Sequence, residues 1–257
     1  MRDAGLEEAI RAAGGVGSLA QKIGISQPSV SNWTRVPAER VVSVETATGV
    51  TRTVLRPDLY GTSSSTTIDE VDAARAAEYA LLSVLLARAP DADMLARVAR
   101  LRGDASPLGL AHAALAEAAA ATAVERAERE YFDLFIGIGR GELLPYGSYY
   151  LTGFLNERPL ARLREELARL GIERVEGNAE PEDHAAILCE IMAGIVDGRL
   201  DAPAGADRTL FDQHLAPWIG RFFADLERAE AADLYRRIGA LGRLFISIES
   251  EAFALPS

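Results

Sequence analysis

Beyond Pro181 the apolar residues recur with a helical period. His184, Ile187, Leu188, Ile191, Met192 and Ile195 fall at i, i+3, i+4, i+7, i+8 and i+11. That spacing places them on one face of a helix spanning about 181–197. Pro181 suits the first turn, where its missing N–H is not needed. Glu182 and Asp183 then sit where negative charge suits the helix dipole. His184 heads the stripe with Asp183 beside it. The pair reads in two ways: a buried histidine satisfied by hydrogen bonds, or a polar pair at the mouth of an apolar groove that orients a ligand.

The same period runs through the chain after residue 70, where Ala and Leu dominate and strand-like alternation is rare. With 49% hydrophobic residues, the composition predicts an all-α protein with a sizeable core. At 257 residues there is room for one large domain or two unequal ones. Helices are predicted over about 68–89, 92–102, 106–121 and 125–135, with a bend or break near Thr122. The first carries Val71, Ala74, Leu81, Leu82, Leu85 and Leu86 on its apolar side. The fourth places Tyr131, Leu134 and Phe135 on one face and Glu125, Arg126, Glu128, Arg129 and Glu130 on an exposed one.

A glycine-rich loop, Gly137–Ser148, follows. It lacks a Gly-Lys-Ser/Thr end and no strand precedes it, so it is not a phosphate-binding loop; its glycines shape a groove wall. Tyr149, Tyr150, Leu151, Phe154 and Leu155 read as a further apolar segment. An amphipathic helix over 159–170 ends at Gly171. The helix expected over 208–228 should kink or restart at Pro217. The last, about 230–253, has Leu234, Ile238, Leu241, Leu244, Phe245 and Ile248 in its stripe.

The first sixty residues have a different grammar. Residues 4–13 form a helix with Leu6, Ala9, Ile10 and Ala13 on one face, stopped by Gly14-Gly15. Ser18-Leu19-Ala20-Gln21 reads as a capping box for a second helix. Gly24 ends that helix, and Ser26 caps a third, with Pro28 in its first turn and Trp33 near its end. Ala20, Gly24, Val30 and Trp33 have helix-turn-helix spacing. Gln27, Ser31 and Arg35 then share a stripe at i, i+4 and i+8, flanked by Ser29 and Asn32; these are side chains able to reach base edges or phosphates. A solvated face in a small protein-binding bundle is the other reading.

Gly61 to Thr67 is polar and reads as a flexible linker. The division is therefore 1–61 for a small helix-turn-helix domain, 62–67 for the linker and 68–257 for a larger helical bundle. The net charge of −11 is uneven: residues 1–61 carry net +1 and the remainder net −12. The first part tolerates an anionic partner, and the second favours a cationic one.

One cysteine, Cys189, excludes an internal disulfide and reads as a small buried side chain. His112, His184, His214 and Cys189 have no metal-ligand spacing. No nucleophile–base–orienter set is visible, so neither catalysis nor a cofactor is expected. There is no long apolar run and no signal peptide, which predicts a cytoplasmic chain without membrane insertion.

Four motifs in order carry a resemblance over about residues 68–255: Tyr131-x-x-Leu134-Phe135, Pro145-Tyr146-Gly147-Ser148, Glu180-Pro181-Glu182-Asp183-His184, and His214-Leu215-Ala216-Pro217-Trp218. Together they resemble the TorD/DmsD family of cytosolic chaperones for molybdenum-containing oxidoreductases. The resemblance implies a TorD-like helical bundle that binds the twin-arginine leader or apo-form of a partner enzyme. It carries leader binding onto Tyr131, Leu134, Phe135, Pro145, Tyr146, Asp183 and His184. Tyr131 and Tyr146 stand where some members have tryptophan. His214, Pro217 and Trp218 read as structural.

Residues 4–60, ending Leu55-Arg56-Pro57-Asp58-Leu59-Tyr60, resemble the Cro/YdaS-like family of phage-type DNA-binding domains. That resemblance gives Gln27, Ser29, Ser31, Asn32 and Arg35 the groove-reading role, with double-stranded DNA as partner and a homodimer as the form that would strengthen binding. Two readings of the fusion follow. In one, a chaperone couples enzyme maturation to gene expression. In the other, a transcription regulator uses the chaperone-like domain as a peptide or small-molecule sensor.

Overall fold

The computed structural model describes residues 2–60, 70–173 and 180–255. The chain divides into two compact units, Met1–Thr67 and Ile68–Ser257. The expected linker, 62–67, lies outside the described residues. The protein is all-α: among the described residues helices alternate with turns, and the sole β-type pairing is an isolated antiparallel bridge between Tyr146 and His184.

The first unit holds α1 (Ala4–Ala13), α2 (Val16–Lys22), α3 (Gln27–Ser31), α4 (Val41–Thr48), α5 (Arg52–Leu55) and α6 (Pro57–Tyr60). The Asp3 carboxylate accepts the Leu6 amide at 2.9 Å and caps α1. Gly14, at φ 88°, ends that helix in the left-handed conformation. Leu6, Ala9, Leu19, Ala20, Val30, Val36, Val41, Val44 and Leu55 form the core, with Ile10 and Trp33 against it.

Two expectations here are corrected. Ser18 is not the cap of α2; the helix starts at Val16 behind Gly15, because the glycine pair completes the turn by itself. The third helix is only five residues long, so Arg35 does not continue a stripe from Gln27 and Ser31. Val36 is fully buried, and Pro37 disfavours helical geometry at the residue before it. The chain therefore leaves the helix to bury Val36.

The second unit holds α7 (Glu70–Ala87), α8 (Ala92–Val98), α9 (Pro107–Ala121), α10 (Val124–Tyr131), α11 (Gly147–Thr152), α12 (Arg158–Arg169), α13 (Ala185–Val196), α14 (Ala206–Leu210), α15 (Ile219–Arg228) and α16 (Leu234–Ala254). The break at Thr122 is present. α10 continues into a π-helical turn over Phe132–Ile136, and α14 into another over Phe211–Leu215. α13 packs along α7, and α16 packs on α15 and α9. At Gly239 the backbones of α15 and α16 approach closely: a Cβ there would stand 2.6 Å from the Glu227 nitrogen.

Burial departs from the expected stripes where a helix end leaves the core or meets a second neighbour. Val71 is 63% exposed and Ala74 also faces outward, since α7 turns to the core only from Ala76. α13 is buried nearly all round, with only Glu190 exposed, so its apolar surface is wider than one stripe. The segment from Leu151 to Leu155 is exposed rather than packed. Ile248 faces solvent while Ile246 is buried. The second helix of the unit ends at Val98, short of residue 102, and the one predicted over 208–228 is divided by the 216–218 turn that contains Pro217.

Glu130 is the largest correction. Expected on an exposed charged face, it is 5% exposed. Its carboxylate accepts the amides of Asp233 at 2.6 Å, Leu234 at 3.2 Å and Tyr235 at 2.7 Å. Asp233 makes no side-chain cap of its own, so α16 takes its N-terminal acceptor from α10.

Candidate functional site

The site is a seam between Pro145–Ser148 and Asp183–Ala185. The Gly147 amide donates to the Asp183 carbonyl at 2.9 Å, and the Ala185 amide donates to the Pro145 carbonyl at 2.8 Å. This pairing corrects the start of the helix after Pro181. Residues 181–184 form a turn, closed by the His184 amide on the Pro181 carbonyl at 3.1 Å, and α13 starts at Ala185. Pro181 is outside the helix because the Asp183 carbonyl and the Ala185 amide, on either side of His184, are given to the opposite strand of the seam.

His184 is the N-cap of α13. Its Nδ1 accepts the Ala186 amide at 3.1 Å, which puts the proton of the neutral ring on Nε2. The residue is 7% exposed. Burial pushes its pKa below the ordinary histidine value, against the opposing charges of Glu180 and Asp183. It is therefore a neutral ring with an N–H donor at neutral pH.

Asp183 is 3% exposed. Its Oδ2 accepts the Ser148 amide at 2.7 Å, within the first turn of α11, so the carboxylate caps that helix from another segment of the chain. Oδ1 is buried without a protein partner among the described residues, and so is the Ser148 hydroxyl oxygen. A cavity of about 410 Å3 adjoins Asp183, with Gly147, Arg162, Arg169 and His214 among its lining.

Tyr146 closes the seam. Its ring stands edge-on to His184, centroids 5.1 Å apart, and its hydroxyl donates to the Glu180 carboxylate. Burial, then the bond to Glu180, raises the Tyr146 pKa. Tyr131 is half-buried and senses the Glu180 charge, which adds to burial in raising its pKa. Its ring lies 5.1 Å from Phe135 and 6.0 Å from Tyr235. Pro145, Tyr146, Asp183 and His184 are thus in one contact set, with Tyr131 beside it. Leu134 is fully enclosed in the core, and Phe135 packs against Tyr235 at 5.4 Å, so Tyr131, Leu134 and Phe135 all turn toward the same core.

Gly147 sits at a close approach to Trp218. A Cβ there would lie 3.0 Å from Nε1 of Trp218. That nitrogen donates to the His214 carbonyl at 2.6 Å, and Trp218 is 1% exposed. The fourth motif thus buttresses the second.

Sequence reasoning passed over Glu180, which joins Tyr146 to the Glu-Pro-Glu-Asp-His turn. Its position in that motif was the available signal. Cys189 is fully buried, which pushes its thiol up to about 12 and leaves it un-ionised at neutral pH.

In the first unit, Gln27, Ser29, Ser31, Asn32 and Arg35 are all exposed. The Ser29 hydroxyl pairs with that of Ser26 at 2.8 Å. α2, the turn through Gly24 and α3 form the helix-turn-helix, with Ala20 and Val30 buried between the helices.

Comparison with known proteins accords with these two architectures. Residues 101–224 match the family described as nitrate reductase delta subunit, and residues 6–64 match the family described as bacterial toxin YdaS. The second unit thus carries a TorD-like domain, and the first a Cro-like helix-turn-helix domain. Among curated proteins the chain is similar to the chaperone protein TorD of Vibrio cholerae serotype O1, 30% identical over 126 residues, covering 46% of this chain and 57% of that protein. It is also similar to TorD of Aliivibrio fischeri, 25% identical over 135 residues, covering 49% of this chain and 63% of that one. The chain thus spans less than two thirds of the length of these relatives. Among solved structures, a protein from Archaeoglobus fulgidus provisionally described as a redox enzyme maturation protein is 22% identical with a TM-score of 0.46, covering 66% of this chain and 93% of that one.

Proposed function

We propose that this chain is a cytoplasmic, non-enzymatic maturation chaperone that binds the twin-arginine leader or apo-form of a molybdenum-containing oxidoreductase. The domains are 1–61 and 68–257, joined by a linker at 62–67, and the first is a DNA-binding module. The carrying observation is the seam itself. It gathers Tyr146, Asp183 and His184 with Glu180 in one place, giving aromatic faces beside two carboxylates. A leader with adjacent arginines is recognised by such carboxylates through charge-assisted hydrogen bonds, and its flanking residues by the rings. The unpartnered Oδ1 of Asp183 supplies a buried acceptor. No single helix among the described residues is long and apolar enough to cross a membrane, which accords with a chain that meets its client before export.

The exposed polar residues on α3 and at the following turn favour DNA as the second partner, and a homodimer would double their contacts. A regulator that uses the second unit as a sensor shares this evidence and differs in what it binds. Calorimetric titration separates the two. Saturable binding of the leader peptide of a molybdoenzyme encoded beside this gene, lost in a Tyr146→Ala, His184→Ala protein that keeps its helicity, supports the chaperone. A folded protein that binds no such leader overturns it.

A further inference from the structure

A groove of about 400 Å3 opens between α12, α13 and the turn leading to Leu200. Its floor is apolar: Leu167, Ile172, Ile187, Ile191 and Leu200. Its rim carries Glu173, Glu180, Glu182 and Glu190 against two arginines, Arg164 and Arg199. Each arginine already faces a carboxylate: Arg164 bonds Glu182 at 2.9 Å, and Arg199 bonds Asp197 at 2.6 Å. The groove thus presents an apolar channel with a negative border.

Its floor is built. The Leu200 amide donates to the Gly194 carbonyl at 2.8 Å, which folds the 197–200 turn back over α13. Leu200 lies flat on the helix because residue 194 has no side chain; a Cβ would stand 2.8 Å from Leu200 Cγ and Cδ1. A larger residue at 194 would push Leu200 up into the channel. At one end the groove reaches Glu180, the residue that holds the Tyr146 hydroxyl. It is therefore continuous with the seam.

We infer that this groove seats the apolar stretch that follows the paired arginines of the leader. This rests on the proposed chaperone function and extends it. The occupant is a cationic, apolar peptide because both halves of its chemistry are answered. Glu180 stands at the end that meets Tyr146, further glutamates line the rim, and five aliphatic side chains form the floor. The arginines engage the carboxylates at the seam, and the chain that follows lies over Ile187, Ile191 and Leu200. A peptide with arginines alone would use one end of the site, and an uncharged apolar peptide the other.

The test uses the full chain and two synthetic peptides. One carries two adjacent arginines followed by a Leu/Ala stretch. In the other the leucines are serines. The Leu/Ala peptide should bind at least tenfold more tightly. Ile187→Glu, at a half-buried position, and Gly194→Val should each remove most of that tenfold difference while leaving the weaker serine peptide unaffected. A photo-reactive residue placed in the Leu/Ala stretch should cross-link the unaltered protein at Ile187, Ile191 or Leu200, a readout that needs no variant to fold. If the Leu/Ala peptide binds and Tyr146→Ala weakens it, but both groove variants bind as the parent does and cross-links fall elsewhere, the groove assignment is overturned and the chaperone reading stands. If neither peptide binds, nor any leader, both fall.

Discussion

The carboxylate of Asp183 accepts the backbone amide of Ser148 at 2.7 Å, so a residue just before α13 caps the N-terminus of α11. The bond ties the two motifs of the seam to each other, and it leaves one oxygen of the same carboxylate without a protein partner. The fold and the proposed recognition role thus meet in one side chain, and substitution can separate them. Asp183→Ala removes both functions and should cost about 1–3 kcal/mol of stability, the usual penalty for leaving a buried amide unsatisfied. Asp183→Asn keeps an acceptor for Ser148 and should cost less than half of that. It should nevertheless lose at least tenfold in affinity for an arginine-bearing leader, since the charge is gone. Thermal melts and calorimetry on the two variants check this; equal leader affinity in the Asn variant would assign Asp183 to the fold alone.

His184 makes stability depend on acid. Its folded pKa lies below the ordinary value, so the unfolded chain binds a proton that the folded chain refuses. Its contribution is fully present above about pH 6.5 and is lost as the pH falls toward the folded pKa, at up to about 1.4 kcal/mol per pH unit. His214, also lowered by burial, acts in the same direction. His112 acts oppositely: its bond to Glu78 raises it, so its contribution is present below about pH 6.5 and is lost as the pH rises through its folded value. His184→Asn should retain the N-cap of α13, since Asn caps well, and flatten the acid limb of the stability profile. His184→Ala should flatten the same limb and in addition cost about 1 kcal/mol at pH 8. Denaturant titrations between pH 5 and pH 8 would reveal the difference, and an unaltered acid limb in both variants would count against a buried neutral ring.

Glu130 offers a stability test remote from the seam. Three amides at the head of α16 depend on its two oxygens. Glu130→Ala strands all three and should destabilise the second unit by about 2–4 kcal/mol, and Glu130→Gln by about 1 kcal/mol. A loss under 0.5 kcal/mol for Glu130→Ala, a level typical of surface substitutions, would restore it to the solvated face that its charged neighbours suggested.

Those two carboxylates mark where the sequence stops being legible. Helix periodicity located the elements, and local chemistry located their ends: Gly14, Thr122 before the next helix, Gly171 and the turn at Pro217. Asp183 and Glu130 act on amides 35 and 103 to 105 residues away, and no local pattern encodes such a partner. Pro181 misled for the same reason. Its local preference is for a first helical turn, but the Asp183 carbonyl is taken by the Gly147 amide and the Ala185 amide by the Pro145 carbonyl. The family motifs named four residues that meet at the seam, Pro145, Tyr146, Asp183 and His184, while a helical wheel could not foresee the π-turn over Phe132–Ile136. In the first unit the spacing of Ala20, Gly24 and Val30 gave the helix-turn-helix, and the full burial of Val36 removed Arg35 from the stripe drawn on α3.

That last displacement shapes what α3 and the residues after it should do on DNA. Gln27 and Ser31 lie on the helix, whereas Arg35 lies beyond it. Ser29 already shares its hydroxyl with Ser26. Base reading should therefore concentrate on Gln27 and Asn32, with Arg35 serving the phosphate backbone. For a duplex selected from random sequence, Gln27→Ala should cost about 1–3 kcal/mol on the selected site and little on unrelated DNA. Arg35→Ala should weaken both alike and reduce the slope of log K against log salt by about one. Ser29→Ala should change neither specificity nor salt slope. Fluorescence anisotropy over a series of salt concentrations measures all three. Should Arg35→Ala relax specificity at one base pair and leave the salt slope intact, Arg35 reads a base and the backbone assignment falls.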